Sequence, residues 1–406
     1  LFFHPYPMKF SYLALGFSLI AGLASAGRVL KEERKAAPRV WEEQGPVGQS
    51  PDENIKLTFF LKTEGRDALE QEFLERSNPS SPSYGKWLSN DEVHAMVAPS
   101  YEAVEKVTEF LSRFGEVNSK TSNSDIMEVV VSFELAEKLL DASYSTYKHQ
   151  ETGHKIHRTL SYSLPSEIDQ YVALVGPTTR FPKPKQLKIS NSKRIIDGVG
   201  SYNTPANLRE LYSVNDVLGG TAKDNNIQAV TAFLDQLYSA SDLEKFWEKE
   251  FPAGADTPIK LVGDATTGRG GVESMLDIEY MPALGALNPT EFWGFSGSSP
   301  QDDADEPFLA WLTVVSNTTD AEVPKVFSTS YGEDETAEVP SDYADRINVE
   351  FMKAGLRGIS LLFASGDSGS ASDAGTCPND RFMPMWPAGS PYVTAVGGTS
   401  GGKMPE

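Results

Sequence analysis

The sequence predicts an α/β protein: a parallel sheet with helices on both faces, preceded by a small α+β unit of the ferredoxin-like type. Three observations carry this. Beyond residue 200, short near-continuous apolar runs alternate with amphipathic helical stretches, as in a sheet buried on both faces. Between Asn54 and His149, strand-like and helical segments alternate over a shorter span, which fits a small sandwich. At 406 residues the chain is too long for one typical core and suggests two domains.

The chain opens LFFHPYP, and Met8 begins MKFSYLALGFSLIAGLASA: one lysine, an apolar stretch from Phe10 to Leu23, then Ala24-Ser25-Ala26. This reads as a secretory signal peptide cut after Ala26, with residues 1–7 as translated leader. Its apolar run is shorter than the ~20 residues a bilayer requires, so a membrane anchor is not expected. Secretion permits disulfides, yet Cys377 is the single cysteine, so no bridge can form within the chain. Asn317-Thr318-Thr319 is its one glycosylation sequon, as suits a secreted surface loop.

In the first unit, IKLTFFLK (55–62) predicts a strand, LEQEFLERS a helix, and Tyr101 to Phe114 a second helix. IMEVVVSF (126–133) alternates as a strand does, ELAEKLLDA returns to helical spacing, and SYSTYKH (143–149) is again strand-like. GPTTRFPKPKQLKISNSKRIIDG, residues 176–198, is rich in Pro and Lys within an otherwise acidic protein. Its prolines favour an extended, accessible chain, and Lys193-Arg194 offers a processing protease a target. The expected division is leader and signal peptide 1–26, first unit 27–175, cleavable linker 176–198, second unit 199–406.

In the second unit IQAVTAFLDQ, EFWGFSG, KVFSTSYG, ISLLFASGDSG and YVTAVGGT predict the strands, and LEKFWEKE, ESMLDIEYMPAL and DYADRINVEFMKAG the helices between them. Ligands of such sheets bind outside the carboxyl ends of the strands. Asp235, Ser330-Tyr331-Gly332 and Asp367 are therefore expected along one crevice.

The chemistry available there is narrow. A net charge of −21 leaves no basic surplus to neutralise phosphates, which argues against a nucleic-acid binder. All five histidines, His4, His94, His149, His154 and His157, precede residue 158. A Ser-His-Asp triad within the second unit is thereby excluded, and so is zinc held by imidazoles. Carboxylates remain for proton transfer, with Tyr and Lys as weaker choices. In GRGGVESMLDIEYM, Glu273 and Asp277 lie four apart on a predicted helix and so share a face. Like charges at that spacing destabilise a helix by a few tenths of a kcal/mol (~0.2–0.5) when both ionise, so one of them should hold a proton in acid. The spacing alone also fits a solvated helix face. Gly268, Gly270 and Gly271 would let backbone approach a ligand where that helix begins, or simply form a turn.

GGVESMLDIEY, EPFLAWLT, STSYGEDE, LLFASGDSG and PYVTAVGGT together resemble the sedolisin family of serine-carboxyl peptidases, the fungal and lysosomal tripeptidyl peptidases above all. The likeness spans residue 196 to the end. It reaches backward too: SNPSSPSYGKWLSNDEV (77–93) is similar to the family's activation prodomain, and TPANLRELY (204–212) to the start of its mature enzyme. The resemblance implies a subtilisin-like fold in which Ser, Glu and Asp replace Ser, His and Asp. By motif, Glu273 would be the general base, Asp277 its orienter and Asp367 the oxyanion-hole acid. Such a set works in acid, where a carboxylate base is near its own pKa and a protonated Asp can donate to an oxyanion.

The family's nucleophile lies in a Gly-Thr-Ser turn well downstream of the SGDSG loop. GGTSGG offers Gly398, Thr399 and Ser400, but it continues PYVTAVGGT, a strand end in the family, so no residue of the chain is expected to be the nucleophile. The family's calcium ligands are likewise expected beyond residue 406, with no metal site in the chain itself. Asn207 and Asn348 stand where vertebrate-like relatives often carry Cys.

The resulting expectation is a secreted zymogen whose own prodomain inhibits it and whose substrates are peptides or proteins, releasing tripeptides from free N-termini. The chain as given, truncated at both ends, is expected to be inactive and poorly soluble, because a sheet missing its last strands exposes an edge. An open-cleft endopeptidase and a non-catalytic inhibitory protein are the alternatives. His149, His154 and His157 are expected to charge as pH falls through ~6.5 and help release the prodomain.

Overall fold

A computed structural model describes residues 27–47, 54–150, 153, 155–181, 203–214, 226–234, 236–285, 288–295, 308–335, 339, 341–372, 375–377 and 380–399. The first unit is built on a four-stranded antiparallel sheet in the order Val117–Ser119, Ile126–Ser132, Asn54–Leu61, Val172–Gly176. In chain order this is second, third, first, fourth, the ferredoxin-like arrangement. The Tyr101–Leu111 and Phe133–Leu140 helices cover one face, each begun by a serine, Ser100 or Ser132, that accepts from a backbone N–H of the first turn and so satisfies a donor the helix cannot. Ile55, Leu57, Phe59 and Leu61 alternate into this core.

The other face of the same sheet is buried in part. Phe60, Ile126 and Leu174 pack into a cluster with Trp311, Tyr343 and Ile347 of the second unit. Two helices extend this contact: Leu69 and Phe73 of Arg66–Ser77, with Val93 of Asn90–Met96, meet Val349, Met352 and Leu356. Asn90–Met96 was not expected from the sequence. It is short, yet Ser89 and Glu92 form a reciprocal capping box at its start, which fixes a helix too brief to stand on propensity.

The second unit holds six parallel strands, in the order Ile259–Val262, Thr290–Gly294, Gln228–Ala232, Val326–Thr329, Ser360–Ala364, Thr394–Val396. Successive residues of Gln228–Ala232 serve opposite faces, as the pleat requires. Val230 and Ala232 join Leu243, Trp247, Met275 and Ile278 beneath the Ala240–Glu250 and Val272–Leu284 helices. Ala229, with Phe233 just beyond, meets Trp311, Phe351 and Phe363 on the side of Phe308–Asn317 and Ser341–Leu356. The expected two-faced α/β architecture stands, and Thr394–Val396 forms as a strand, as PYVTAVGGT implied. No helix among the described residues is long and apolar enough to cross a membrane.

Charged side chains bind the seam between the units. Asp125 of the first unit is buried against Arg346 and Lys353 of the second, and both cations also meet Glu350. Burial alone would raise the Asp125 carboxyl, but Lys353, Arg346 and the Thr121 hydroxyl pull it down to about 2. At one end of the seam Arg180 stacks over the Tyr343 ring, 4.6 Å from its centre, and bonds Glu333. At the other, His94 Nε2 lies 3.2 Å from the Ser316 carbonyl and 3.1 Å from its hydroxyl.

Candidate active site

The parallel sheet reverses its direction of growth at one place. From Gln228–Ala232 the chain lays Ile259–Val262 and Thr290–Gly294 on one side, then crosses to Val326–Thr329 on the other. At such a switch point the loops leaving two adjacent strands diverge and open a crevice. Thr231 and Thr329 stand level there, their hydroxyls 2.6 Å apart.

The Val272–Leu284 helix begins at this crevice and packs on Gln228–Ala232. Its first residues have no cap from their own segment. The need is met from the loop after Gln228–Ala232, where the Gln236 side-chain carbonyl accepts from the Glu273 N–H at 3.0 Å. Ser274 Oγ donates back to the Leu237 carbonyl at 2.8 Å. The glycines before the helix serve this packing. A Cβ on Gly271 would lie 2.2 Å from Gln236 Oε1, and one on Gly268 would lie 2.4 Å from Leu237 Cδ1. The close backbone approach anticipated from GRGG is thus an approach to the neighbouring loop.

Glu273 and Asp277 follow on this helix, both partly buried. Ser330, one residue past Val326–Thr329, donates its hydroxyl to Asp277 Oδ1 at 2.9 Å. Asp277 Oδ2 is buried without a hydrogen-bond partner. Burial first, then the charge of Glu273, push the Asp277 carboxyl up to about 7, against a smaller lowering by Ser330. Burial is thus the larger cause of that shift, and the neighbouring charge of Glu273 adds to it. Glu279, on the same helix, is also pushed up to about 7, by burial and then by Asp242.

Asp367 stands on the loop after Ser360–Ala364, exposed, just past the positive-φ Gly366. Thr329 and Phe363 are in register, so that loop leaves the sheet beside Ser330 at the same end. Asp367 therefore follows a strand that ends at the same edge of the sheet as the one before Ser330. The aspartate of ASGDSG is where a strand gives out, as its flanking glycines indicated.

Other residues singled out by sequence fall elsewhere. Asp235, Lys193, Arg194, Ser400, His4 and His154 lie outside the described residues. Asn317 is exposed at the end of its helix, and its amide donates to the Lys120 carbonyl across the seam. Cys377 is exposed and unbridged. His149 packs edge-on to Trp41 and His157 to Phe133, both inside the first unit. The histidine at the seam is His94, which its surroundings in the sequence did not distinguish. Among the described residues no group of three His, Cys, Asp or Glu is placed to hold a metal ion.

Comparison with known proteins places the chain. Residues 40–181 match the family described as Pro-kumamolisin, activation domain. Tripeptidyl-peptidase 1 of the dog is 36% identical over 377 residues, covering 91% of this chain and 65% of that protein. The cattle protein of the same name is 34% identical over 398 residues, covering 96% of this chain and 68% of the relative. The chain thus spans about two thirds of the length of the curated relatives it matches. A solved structure titled Pseudomonas sedolisin (serine-carboxyl proteinase), complexed with pseudo-iodotyrostatin, aligns at 18% identity and a TM-score of 0.35, covering 49% of this chain and 55% of that one. With 34% identity to tripeptidyl-peptidase 1 across 96% of its length and an activation-domain match at its N-terminal end, the chain belongs to the sedolisin family of serine-carboxyl peptidases.

Proposed function

We propose that this is the zymogen of a secreted, acid-acting peptidase that removes tripeptides from free N-termini. Glu273 is its general base, Asp277 orients that base, and Asp367 donates to the oxyanion. The nucleophilic serine is assigned to no residue here. The observation that carries this reading is Asp277, held by Ser330 beside Glu273 at the switch point of a unit whose sequence contains no histidine. Once in acid, Glu273 takes the proton of an attacking hydroxyl while a protonated Asp277 keeps a hydrogen to share with it. Proton transfer by a positioned group is worth about 10²–10⁴ in rate.

The first unit is the activation prodomain, 27–175, joined by a linker over 176–198 that is cut at Lys193-Arg194. The start of that linker is held close to the site, where Arg180 binds Glu333 three residues beyond Ser330, which supports an inhibitory role. Peptides or proteins are the substrates, and Asn317 carries the glycan. Calcium, on this reading, is held by residues after 406.

The test is digestion at pH 4 by the full-length protein from its native source. The substrates are one peptide with a free N-terminus and the same peptide acetylated, with the products weighed. Tripeptides from the free form alone are expected, and Glu273→Gln should abolish them. Internal fragments from both forms would replace this reading with an endopeptidase. No cleavage, with tight inhibition of a second peptidase, would replace it with an inhibitory protein.

A further inference from the structure

Asp277 is unusual in how its two oxygens are used. One accepts a hydrogen bond from Ser330, 53 residues away and just past the Val326–Thr329 strand. The other is buried and has no partner. A carboxylate that served only to tie a helix to a strand would be expected to have both oxygens satisfied, because an orphaned buried acceptor costs about 1–3 kcal/mol. An oxygen left bare on the face shared with Glu273 is an oxygen kept for something else.

The supports of this carboxylate are all rigid. Ser330 follows directly on Val326–Thr329, a strand between two others in the sheet. Thr329, its neighbour, is 1% exposed and locked to Thr231. The helix carrying Asp277 is fixed at its start by Gln236 and along its length by Met275 and Ile278 in the core. Neither end of the Ser330–Asp277 bond is on a loop tip, so the bond sets the rotation of the carboxyl plane.

We propose that Ser330 is a positioning residue for the Glu273–Asp277 pair: by occupying Oδ1 it turns Oδ2 toward Glu273 and fixes which oxygen meets the base. This rests on the reading of that pair as catalytic. In this role Ser330 acts through Asp277, the residue its hydroxyl bonds. Because it donates, it favours the ionised form of Asp277, so it also limits how tightly that acid holds its proton.

The experiment follows the Asp277 carboxyl by ¹³C NMR in the 406-residue chain labelled at aspartate, with Asp277→Asn to assign the signal. In Ser330→Ala the titration midpoint should rise by about half to one unit, the worth of one hydrogen bond. Ser330→Thr keeps the hydroxyl and should restore the wild-type midpoint. The proposal is overturned if the midpoint of folded Ser330→Ala, judged by circular dichroism, does not move. An equal shift in the threonine variant overturns it too. Should the alanine variant not fold, the midpoint in Ser330→Cys, whose thiol is a weaker donor, must rise instead, and an unmoved midpoint there has the same consequence. The titration needs no turnover, so absence of peptidase activity in the full-length protein would remove the catalytic reading while this measurement would still decide the role of Ser330.

Discussion

Asp125 and Arg346 meet across the seam between the two units, Oδ2 to Nη2 at 2.9 Å, with side chains 0% and 3% exposed. Neither could be buried in this way alone, because desolvating a charge without its partner costs several kcal/mol. Asp125→Ala leaves Arg346 with Glu350 only, and the expected loss is about 3–5 kcal/mol in stability. Urea unfolding checks it. A loss under ~1 kcal/mol would mean water reaches the seam and screens it as it does a surface pair.

His94 makes the same seam sensitive to acid. Burial first, then Lys353, lower its pKa, against smaller raising effects of the Ser316 carbonyl, Glu350 and Asp125. The folded state therefore favours neutral imidazole, and its Nδ1 is buried without a partner. A group with a depressed folded pKa adds stability that is present above its unfolded value of 6.5 and is lost as pH falls through the folded one. Asp125, held down to about 2, stays ionised throughout that range and does not offset it. Limited proteolysis between pH 7 and 5 should open the seam in wild type, while His94→Gln, which does not titrate, should show a flatter response. His149 and His157, away from the seam, should leave the profile unchanged when replaced.

Asp277 has the opposite sign. Its folded pKa is raised to about 7 from 3.8, so its stabilising effect is complete below 3.8 and is lost as pH rises through 7. Asp277→Asn cannot ionise. The variant is expected to gain stability relative to wild type at pH 7 and to differ little at pH 4, read from chemical-denaturation midpoints at the two values.

Gly271→Ala tests the start of the Val272–Leu284 helix. Its backbone angles, φ −78 and ψ 157, suit any residue, so strain is not the issue; the 2.2 Å to Gln236 Oε1 is. The methyl must displace Gln236 from the Glu273 N–H. Overpacking of this kind costs about 1–3 kcal/mol, and pairing Gly271→Ala with Gln236→Ala should recover part of it. A double variant no more stable than the single one would place the clash elsewhere.

Much of the fold was legible because hydrophobic spacing is a local property. IKLTFFLK and IMEVVVSF announce their strands, and ESMLDIEYMPAL its helix, since each carries its own period. Phe308–Asn317 was not read as a helix: Phe308, Leu309, Trp311, Leu312 and Val315 line its buried side, but Ala310 and Val314 on the other side are apolar too, which blurs the stripe in FLAWLTVVSN. The site divides in the same way. Glu273 and Asp277 are four apart, a relationship a helix makes predictable, whereas Ser330 reaches Asp277 across 53 residues through a strand order that no single segment encodes. The His149, His154 and His157 group drew attention by proximity in sequence. His94 earned its place only through Ser316 and Lys353, which lie more than two hundred positions away.

The strand that carries Phe60 turns only its first residues, Asn54 and Lys56, to water. Phe60, Ile126 and Leu174 are each 2% exposed or less, and what covers them belongs to the other half of the chain. Cutting the connection and parting the halves would bare an oily sheet surface with nothing of its own to close over it. A detached first half is therefore expected to clump or be degraded instead of returning to its seat, which would make the parting of the two halves a step in one direction only.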